Sequence, residues 1–188
     1  MIRVSNLVKS YGELKVLDGV SFDIEQGEFI VIFGSSGAGK TTLLNILATY
    51  DKPDEGEVIF DRINIINTSE NSLERFRIEK IGFAHQSSYM IECLPLYENV
   101  ALPLILAGFS KQEKEKVVAK LLKEVGLEDK AKNRPSQLSL GQKKRACIAR
   151  ALVTDPRFIL IDEPTANLDV ANKERILALL SQKQKGGA

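Results

Sequence analysis

A turn rich in glycine and serine separates an apolar run from a helical segment in "IVIFGSSGAGKTTLLNIL", residues 30–47. Within it, "GSSGAGKT" has a glycine, four further residues, a second glycine, a lysine and a hydroxyl side chain. A loop of this kind turns successive backbone N–H groups towards an anion, and the positive end of the following helix adds to the attraction. We therefore predict a nucleotide phosphate site, in which Lys40 contacts the β- and γ-phosphates and the Thr41 hydroxyl binds Mg²⁺.

Two acidic residues follow a second apolar run, in "FILIDEP", residues 158–164. An aspartate such as Asp162, at the carboxyl end of a strand beside a phosphate loop, can hold the ligand shell of Mg²⁺. The adjacent Glu163 can orient and polarise a water molecule for attack on the γ-phosphate. Two solvated acids at a strand end would look the same in sequence, but the phosphate loop favours hydrolysis of a nucleoside triphosphate.

The composition, with 44% apolar and 27% charged residues, is ordinary for a soluble globular protein, and 188 residues suffice for one α/β domain with a core. A net charge of +1 gives no overall field that favours nucleic acid, so no nucleic-acid partner is predicted. No apolar run approaches the roughly 20 residues that span a bilayer, and "MIRVSNLVKSYG" lacks the apolar stretch of a secretory leader. Cys93 and Cys147 are too few for a disulfide framework or a thiolate metal site, and we predict a cytoplasmic protein.

The strands and helices that must position these residues are predicted from apolar periodicity. "IRVSNLVKSY" and "KVLDGVSFDI" alternate as antiparallel strands do, "KPDEGEVIF" is typical of a turn followed by a strand, and a helix follows the phosphate loop to about Thr49. "EFIVIF", residues 28–33, is continuously apolar, as a parallel strand covered on both faces is. "IGFAHQ", residues 81–86, and "RFILIDEP", residues 157–164, predict two more short strands.

A helical stretch lies between these last two strands. In "KQEKEKVVAKLLKEVGL" the lysines and glutamates predict a solvated face, and the apolar residues recur at helical spacing; these are Val117, Val118, Leu121, Leu122 and Val125. Strands that alternate with helices predict an α/β fold with a mostly parallel sheet.

Three further stretches occur in a specific order. Gln86 closes a predicted strand, "LSLGQ", residues 138–142, precedes "KKRACIARAL", and "ANLD", residues 166–169, directly follows "DEPT". Together with the phosphate loop, they resemble the ATP-binding subunit of an ABC transporter, from the first strand to the end of the chain. The resemblance implies a P-loop NTPase fold with a RecA-like, mostly parallel sheet, an antiparallel β subdomain and an inserted α-helical subdomain at about 87–155, within a single domain spanning 1–188.

The resemblance also implies ATP and Mg²⁺ as ligands and assigns a role to each matching residue. Glu163 and Gln86 are the expected catalytic residues, and Thr41, Gln86 and Asp162 are the expected Mg²⁺ ligands. Tyr11 matches the aromatic residue that stacks on adenine, although a strand-end aromatic packed on the surface is the alternative. The signature residues Ser139, Gly141 and Gln142 are expected to cap the γ-phosphate bound by the partner subunit, and Asp169 belongs to the D-loop. Besides these four, the expected nucleotide-binding residues are Tyr11, Gly34, Ser35, Ser36, Gly37, Ala38, Gly39, Lys40, Thr41 and Thr42.

In this family two subunits sandwich two ATP molecules head to tail, and a transmembrane permease subunit docks beside the Q-loop, here near residues 87–104. We expect a protein on the inner face of the cell membrane that couples ATP binding and hydrolysis to substrate movement. "LNILATYDKPDEGEV" and "LYENVALPLILAG" resemble the group that serves lipoprotein release, macrolide and peptide export and FtsE. The apolar side chains of the docking stretch could instead belong to the core of the helical subdomain; they are Tyr89, Met90, Ile91, Leu94 and Leu96.

Two alternatives to a transporter subunit stay open at this point. A soluble ABC-type ATPase of DNA repair or translation would typically carry a long insertion between the two ATP motifs, and the spacing here leaves no room for one. A nucleotide-binding regulatory module would bind ATP without turnover.

The chain departs from the family pattern at two places. Leu140 stands where the signature usually has glycine, and the cations that follow, Lys143, Lys144 and Arg145, are expected in the first turn of a helix, either near a phosphate or solvated at the surface. The only histidine is His85, and no switch histidine follows the D-loop. We therefore expect a truncated chain that lacks an interior strand and does not turn over ATP by itself.

Overall fold

The fold was analysed in a computed structural model, which describes residues 1–186. These residues form two compact units, residues 1–77 and residues 78–186. The prediction of a single domain with a helical subdomain is not tested by this division and stays a prediction.

The first unit contains a four-stranded antiparallel sheet with the order β2-β1-β3-β4. Its strands are β1 (Ile2–Tyr11), β2 (Leu14–Ile24), β3 (Glu55–Phe60) and β4 (Ile63–Asn64). The two long strands pair as a hairpin, with Ile2 opposite Ile24 and Tyr11 opposite Leu14, as their alternating pattern predicts. The buried apolar side chains of this sheet are Ile2, Val4, Leu7, Leu17, Val58 and Phe60.

Two helices, α1 (Lys40–Leu47) and α2 (Glu70–Lys80), complete this part of the fold. The Arg77 side chain of α2 donates to the Thr49 carbonyl and to the Thr49 hydroxyl, each at 3.0 Å, just after the end of α1. It also pairs with Glu70 at 2.6 Å. A cation at the carboxyl end of a helix is favourable, so Arg77 holds α1 and α2 together.

Residues 28–33 lie outside both sheets of the structure. Their apolar side chains are exposed, up to 88% for Phe33, so the prediction of a parallel strand covered on both faces is wrong. An apolar run has the propensity to form a strand, but a strand also needs neighbouring N–H and C=O groups to pair with. No strand in the described part of the chain supplies them to this segment.

The second unit contains two parallel strands and four helices. The strands β5 (Ile81–Ala84) and β6 (Phe158–Ile161) pair in the register of Ile81 with Phe158 and of Ala84 with Ile161, which confirms both predicted strands. The helices are α3 (Leu96–Leu106), α4 (Lys111–Glu124), α5 (Leu140–Leu152) and α6 (Val170–Lys185), with 3₁₀ turns at Glu128–Lys130 and Pro135–Gln137. None of the helices within residues 1–186 has the length and apolarity needed to cross a membrane.

The predicted amphipathic helix is confirmed as α4. Val118, Leu121 and Leu122 are buried on one face, in a core shared with α3, α5 and α6. Ser110 and Glu113 start the helix with a reciprocal cap: Ser110 accepts a hydrogen bond from the Glu113 N–H at 3.4 Å, and the Glu113 carboxylate accepts one from the Ser110 N–H at 2.9 Å. The mixed α/β architecture with antiparallel and parallel sheets agrees with the predicted fold class.

Helix α5 packs so closely on β5 that residue 82 has no room for a side chain. A Cβ atom added at Gly82 would collide with the carbonyl oxygen of Ala151 and would lie 2.6 Å from the Pro156 ring. We predict that Gly82→Ala lowers the free energy of unfolding by about 1–3 kcal/mol, because backbone must move to accommodate the methyl group. Urea unfolding measures the change. Gly186→Ala, where the nearest atom is 3.2 Å away, is the control, and equal stability of the two variants would contradict the packing.

Candidate functional site

The phosphate loop of the first unit needs glycine at two positions. Gly37 and Gly39 have φ angles of +79° and +83°, a conformation that other residues adopt only with strain. A Cβ atom at Gly39 would also lie 2.8 Å from the Val16 carbonyl oxygen. Because α1 begins at the next residue, Lys40, this turn sets the direction in which the free N–H groups of the first helical turn point.

The Lys40 side chain folds back over this loop. Its ammonium group donates to the carbonyl oxygens of Gly34 at 2.8 Å and Ser35 at 2.7 Å, and the Ala38 N–H donates to the Ser35 carbonyl at 3.2 Å. The loop therefore holds a positive charge beside the positive end of α1, an arrangement suited to an anion.

The strands of the second unit bring two predicted site residues together. The Asp162 N–H donates to the Ala84 carbonyl at 2.9 Å, which continues the parallel pairing one step beyond β6. Just past these strand ends, the Gln86 side-chain amide donates to the Glu163 carboxylate at 3.1 Å. Asp162 is buried, with 5% of its surface exposed. The Gln86 amide and the Glu163 carboxylate thus meet at the carboxyl edge of one strand pair, next in the chain to the buried Asp162.

Glu163 has a strained backbone. Its φ angle is +51°, in the left-handed region that side chains larger than glycine rarely adopt. Such outliers persist only where the surrounding structure enforces them, and they cluster at functional sites. The turn directs the chain away from β6 immediately after Asp162.

Lys144 is a buried cation beneath these strand ends. Only 2% of its surface is exposed, and its ammonium group donates to the Asp162 carbonyl at 2.6 Å and to the His85 carbonyl at 3.4 Å. Burial lowers the pKa of Lys144, and the neighbouring Asp162 opposes that effect. Lys144 therefore joins the ends of β5 and β6 at the residues next to Gln86 and Glu163.

Arg145 is buried as well and binds the end of another helix. Its guanidinium group donates to the carbonyl oxygens of Val125 and Gly126, the latter at 3.0 Å, where α4 ends. Burial lowers the pKa of Arg145. The expectation of cations in the first helical turn, solvated or facing a phosphate, is wrong for Lys144 and Arg145. Helix α5 begins at Leu140, earlier than expected, so both residues lie in its second turn, and they pair with backbone carbonyls.

The signature residues start helix α5. The Ser139 hydroxyl accepts from the Gln142 N–H at 3.2 Å, and the Gln142 side chain accepts from the Ser139 N–H at 2.8 Å. A Cβ atom at Gly141 would lie 2.8 Å from the Asn167 carbonyl oxygen, so the signature lies against the "ANLD" segment. Leu140, which replaces the expected glycine, is 69% exposed and fills no space in this contact.

Asp169 of the D-loop segment caps helix α6. Its carboxylate accepts from the Asn172 N–H at 2.9 Å and from the Asn172 side chain at 2.8 Å. The backbone hydrogen bond from Asn172 is the main cause of a lowered Asp169 pKa. A negative charge at the start of a helix is favourable, so Asp169 stabilises α6 independently of any contact with a nucleotide.

The sequence analysis missed Asn99, which organises the stretch after Gln86. Asn99 is fully buried in α3, and its side chain accepts from the Ile91 N–H at 2.7 Å. It donates to the carbonyls of Ile91 and Leu94 at 3.0 Å, and to that of Pro95 at 3.2 Å. A lone asparagine within the apolar helical sequence "LYENVALPLIL" was the available signal, since a buried amide must find partners.

Comparison with known proteins identifies the family to which these features belong. The family model described as "ABC transporter" matches residues 17–166. The chain belongs to the ABC transporter family. This confirms the family and the ATP-driven transport function that the motifs predict, in preference to the alternatives of DNA repair and translation.

Individual members of the ABC transporter family are similar over nearly the whole chain. The lipoprotein-releasing system ATP-binding protein LolD of Porphyromonas gingivalis is 42% identical over 95% of this chain and 82% of its own length. The macrolide export ATP-binding/permease protein MacB of Campylobacter jejuni is 41% identical over all of this chain and 29% of its own length. The bacterial ABC transporter cassette MJ0796, solved as a dimer and also with ADP and Pi bound, matches with a TM-score of 0.95 and 41% identity, over 100% of this chain and 84% of the other.

The hydrogen bonds of Asn99 give a prediction for the stretch that follows Gln86. We predict that Asn99→Ala lowers the free energy of unfolding by about 1–3 kcal/mol, because buried carbonyl groups and an N–H lose their partner. Urea unfolding of the variant and of the parent protein measures the loss. Gln137→Ala, which removes an amide whose oxygen caps a short surface turn, is the control. If Asn99→Ala were as stable as this control, the buried amide would not be holding the stretch.

Proposed function

We propose that this chain binds ATP with Mg²⁺ and hydrolyses it as one of two nucleotide-binding subunits that drive a membrane permease. The observation that carries the proposal is the 3.1 Å hydrogen bond from Gln86 to Glu163 beside the buried Asp162. An amide donor on one carboxylate oxygen fixes the orientation of the carboxylate and leaves the other oxygen free to accept a proton from water.

The first unit contributes the groups that bind phosphate. In the proposed complex Lys40 exchanges its contacts with the Gly34 and Ser35 carbonyls for contacts with the β- and γ-phosphates. The N–H groups from Gly37 to Thr41 surround the phosphates, and the positive end of α1 stabilises the charge that develops on them. The side chains of Ser35 and Ser36 in this loop, and of Thr42 in α1, are proposed as further contacts.

Mg²⁺ is the metal that the oxygen donors of this chain suit. Within residues 1–186 no group of three or more His, Cys, Asp or Glu side chains is placed to hold a metal ion. Mg²⁺ characteristically needs no such cage, because it keeps waters and takes one or two protein oxygens together with substrate phosphates. In the first unit we propose the Thr41 hydroxyl as a Mg²⁺ ligand. In the second unit we propose the Gln86 amide oxygen and the Asp162 carboxylate as Mg²⁺ ligands. The bound ion neutralises charge on the phosphates.

The proposed chemistry is in-line attack of water on the γ-phosphate. Glu163 accepts a hydrogen bond from the water and polarises it, and Gln86 holds the Glu163 carboxylate in place. Lys144 contributes indirectly, because it binds the Asp162 and His85 carbonyls that precede these two side chains.

The proposed partners are a second copy of an ATP-binding subunit and a transmembrane permease. Ser139, Gly141 and Gln142 lie at the start of α5, where an additional helix N-terminus can cap the phosphate bound by the partner subunit, and Asp169 lies in the adjacent D-loop. The dimeric structure of the cassette MJ0796 supports this pairing.

The permease is proposed to dock near residues 87–104, on the inner face of the membrane. In this stretch Tyr89 is 68% exposed and Ile91 is 41% exposed, whereas Leu96 is fully buried. The first two are therefore available for docking, and Leu96 serves the core. Similarity to LolD and MacB favours a substrate such as a lipoprotein or a macrolide.

Removal of the Lys40 charge tests the phosphate site. We predict that Lys40→Ala weakens ATP binding about 10- to 150-fold, because a charge-assisted contact with phosphate is lost. Isothermal titration calorimetry with ATP and Mg²⁺ measures the affinity. Lys15→Ala, which removes an exposed lysine paired with Asp18 in the same unit, is the control. Equal affinity of Lys40→Ala and the parent protein would overturn the assignment.

Glu163→Gln tests the proposed role in hydrolysis. We predict that this variant keeps ATP affinity and forms a stable dimer with ATP and Mg²⁺ on size-exclusion chromatography, because the paired state opens only after hydrolysis. Phosphate release by the variant should fall about 100-fold or more relative to the parent protein. Glu174→Gln, an exposed position on α6, should behave as the parent does. A Glu163→Gln variant that stays monomeric and releases phosphate normally would exclude this role.

A further inference from the structure

Tyr11 is held by a charged network that the proposed mechanism does not use. Its hydroxyl donates to one carboxylate oxygen of Asp51 at 2.5 Å. The other oxygen of Asp51 accepts from the Lys9 ammonium group at 2.8 Å. Tyr11 ends β1, whereas Asp51 follows α1, so the contact joins the end of a strand to the far end of the phosphate-binding helix.

Asp51 is itself held firmly. The N–H groups of Tyr50 and Asp51 both donate to the Asn45 carbonyl of α1, at 2.8 and 3.3 Å. Lys9 is only 9% exposed, and its ammonium group also donates to the Lys52 carbonyl at 2.6 Å. Burial acts to raise the Asp51 pKa, but the hydrogen bonds from Lys9 and Tyr11 lower it overall, so the carboxylate stays charged.

The Tyr11 ring is fixed but not covered. The Lys9 ammonium lies over the ring, 5.1 Å from its centroid, as in a cation–π contact. Nevertheless 49% of the tyrosine surface is exposed. A partly exposed side chain would ordinarily sample several rotamers, and ordering it on binding a ligand would cost affinity.

We propose that Asp51, oriented by Lys9, is a positioning residue that fixes the Tyr11 ring for stacking on the nucleotide base. This rests on the proposed binding of ATP and on the role that the family resemblance implies for Tyr11, which is contact with adenine. The ring face opposite Lys9 is the one that accepts the base. The network thereby adds to the affinity for the base of ATP and not to the affinity for its phosphates.

The test compares ATP with inorganic tripolyphosphate, which has the phosphate chain but no base. Affinities of both are measured by isothermal titration calorimetry in the presence of Mg²⁺. Tyr11→Ala removes the ring and should weaken ATP binding about 5- to 150-fold. Tyr11→Phe keeps the ring and removes only the hydroxyl, and Asp51→Ala removes the acceptor. Each should weaken ATP binding about two- to tenfold. All three should bind tripolyphosphate as the parent does.

A double variant tests whether Asp51 acts through Tyr11. Both the Tyr11→Phe and the Asp51→Ala change remove the hydrogen bond between Tyr11 and Asp51, although Tyr11→Phe also removes a hydrogen bond between the hydroxyl and Thr42. Together they should therefore cost less ATP affinity than the sum of the two single changes. Asp18→Asn, an exposed aspartate of β2 that pairs with Lys15, is the control and should leave both affinities unchanged. Thermal unfolding of each variant verifies that it is folded, and Tyr11→Phe is the mildest of them.

Three results would overturn the proposal. Suppose that Tyr11→Phe and Asp51→Ala bound ATP as the parent does while Tyr11→Ala did not. Stacking of the Tyr11 ring on the base would then be supported, and positioning of the ring by Asp51 would be excluded. If Tyr11→Ala also bound ATP as the parent does, Tyr11 would not be the residue that contacts adenine. If tripolyphosphate affinity fell in parallel with ATP affinity, Asp51 would act on the fold of the phosphate loop and not on the base.

Discussion

Parallel pairing between β5 and β6 is the constraint on which the unit of residues 78–186 depends. Its register places Ala84 opposite Ile161, so the segments that follow leave the sheet at the same edge. A slip of one residue would reverse the faces of every side chain and would separate Gln86 from Glu163. Gly82 allows α5 to approach the strands, and Lys144, from that helix, binds a carbonyl beyond each of them.

Buried side chains satisfy the backbone where regular structure ends. Lys144 binds carbonyls past two strands, Arg145 binds carbonyls at the end of α4, and Asn99 satisfies the loop before α3. A carbonyl or N–H left without a partner in the interior costs about as much as a lost hydrogen bond. These three residues therefore give irregular segments a fixed shape without requiring them to join a sheet or helix.

Features carried by local sequence were predictable, and features decided by distant contacts were not. The hairpin of β1 and β2, the amphipathic α4 and the strands leading to Gln86 and Asp162 follow from periodicity. The exposed segment 28–33 does not, because a strand exists only when another strand pairs with it, whatever its own propensity. The burial of Lys144 and Arg145 was missed for a similar reason. Charged residues are ordinarily solvated, and only the folded chain reveals the carbonyls that they bind.

The left-handed backbone at Glu163 lowers the stability of the fold at a residue that the proposed activity requires. A glutamate with a φ of +51° costs about 1–3 kcal/mol relative to an unstrained residue, and glycine at this position would relieve that strain. Selection for thermal resistance alone would therefore favour replacement of the very carboxylate proposed to activate water. Engineering of a more robust protein should exclude this position and draw its gains from the distant surface, where strain and chemistry do not coincide.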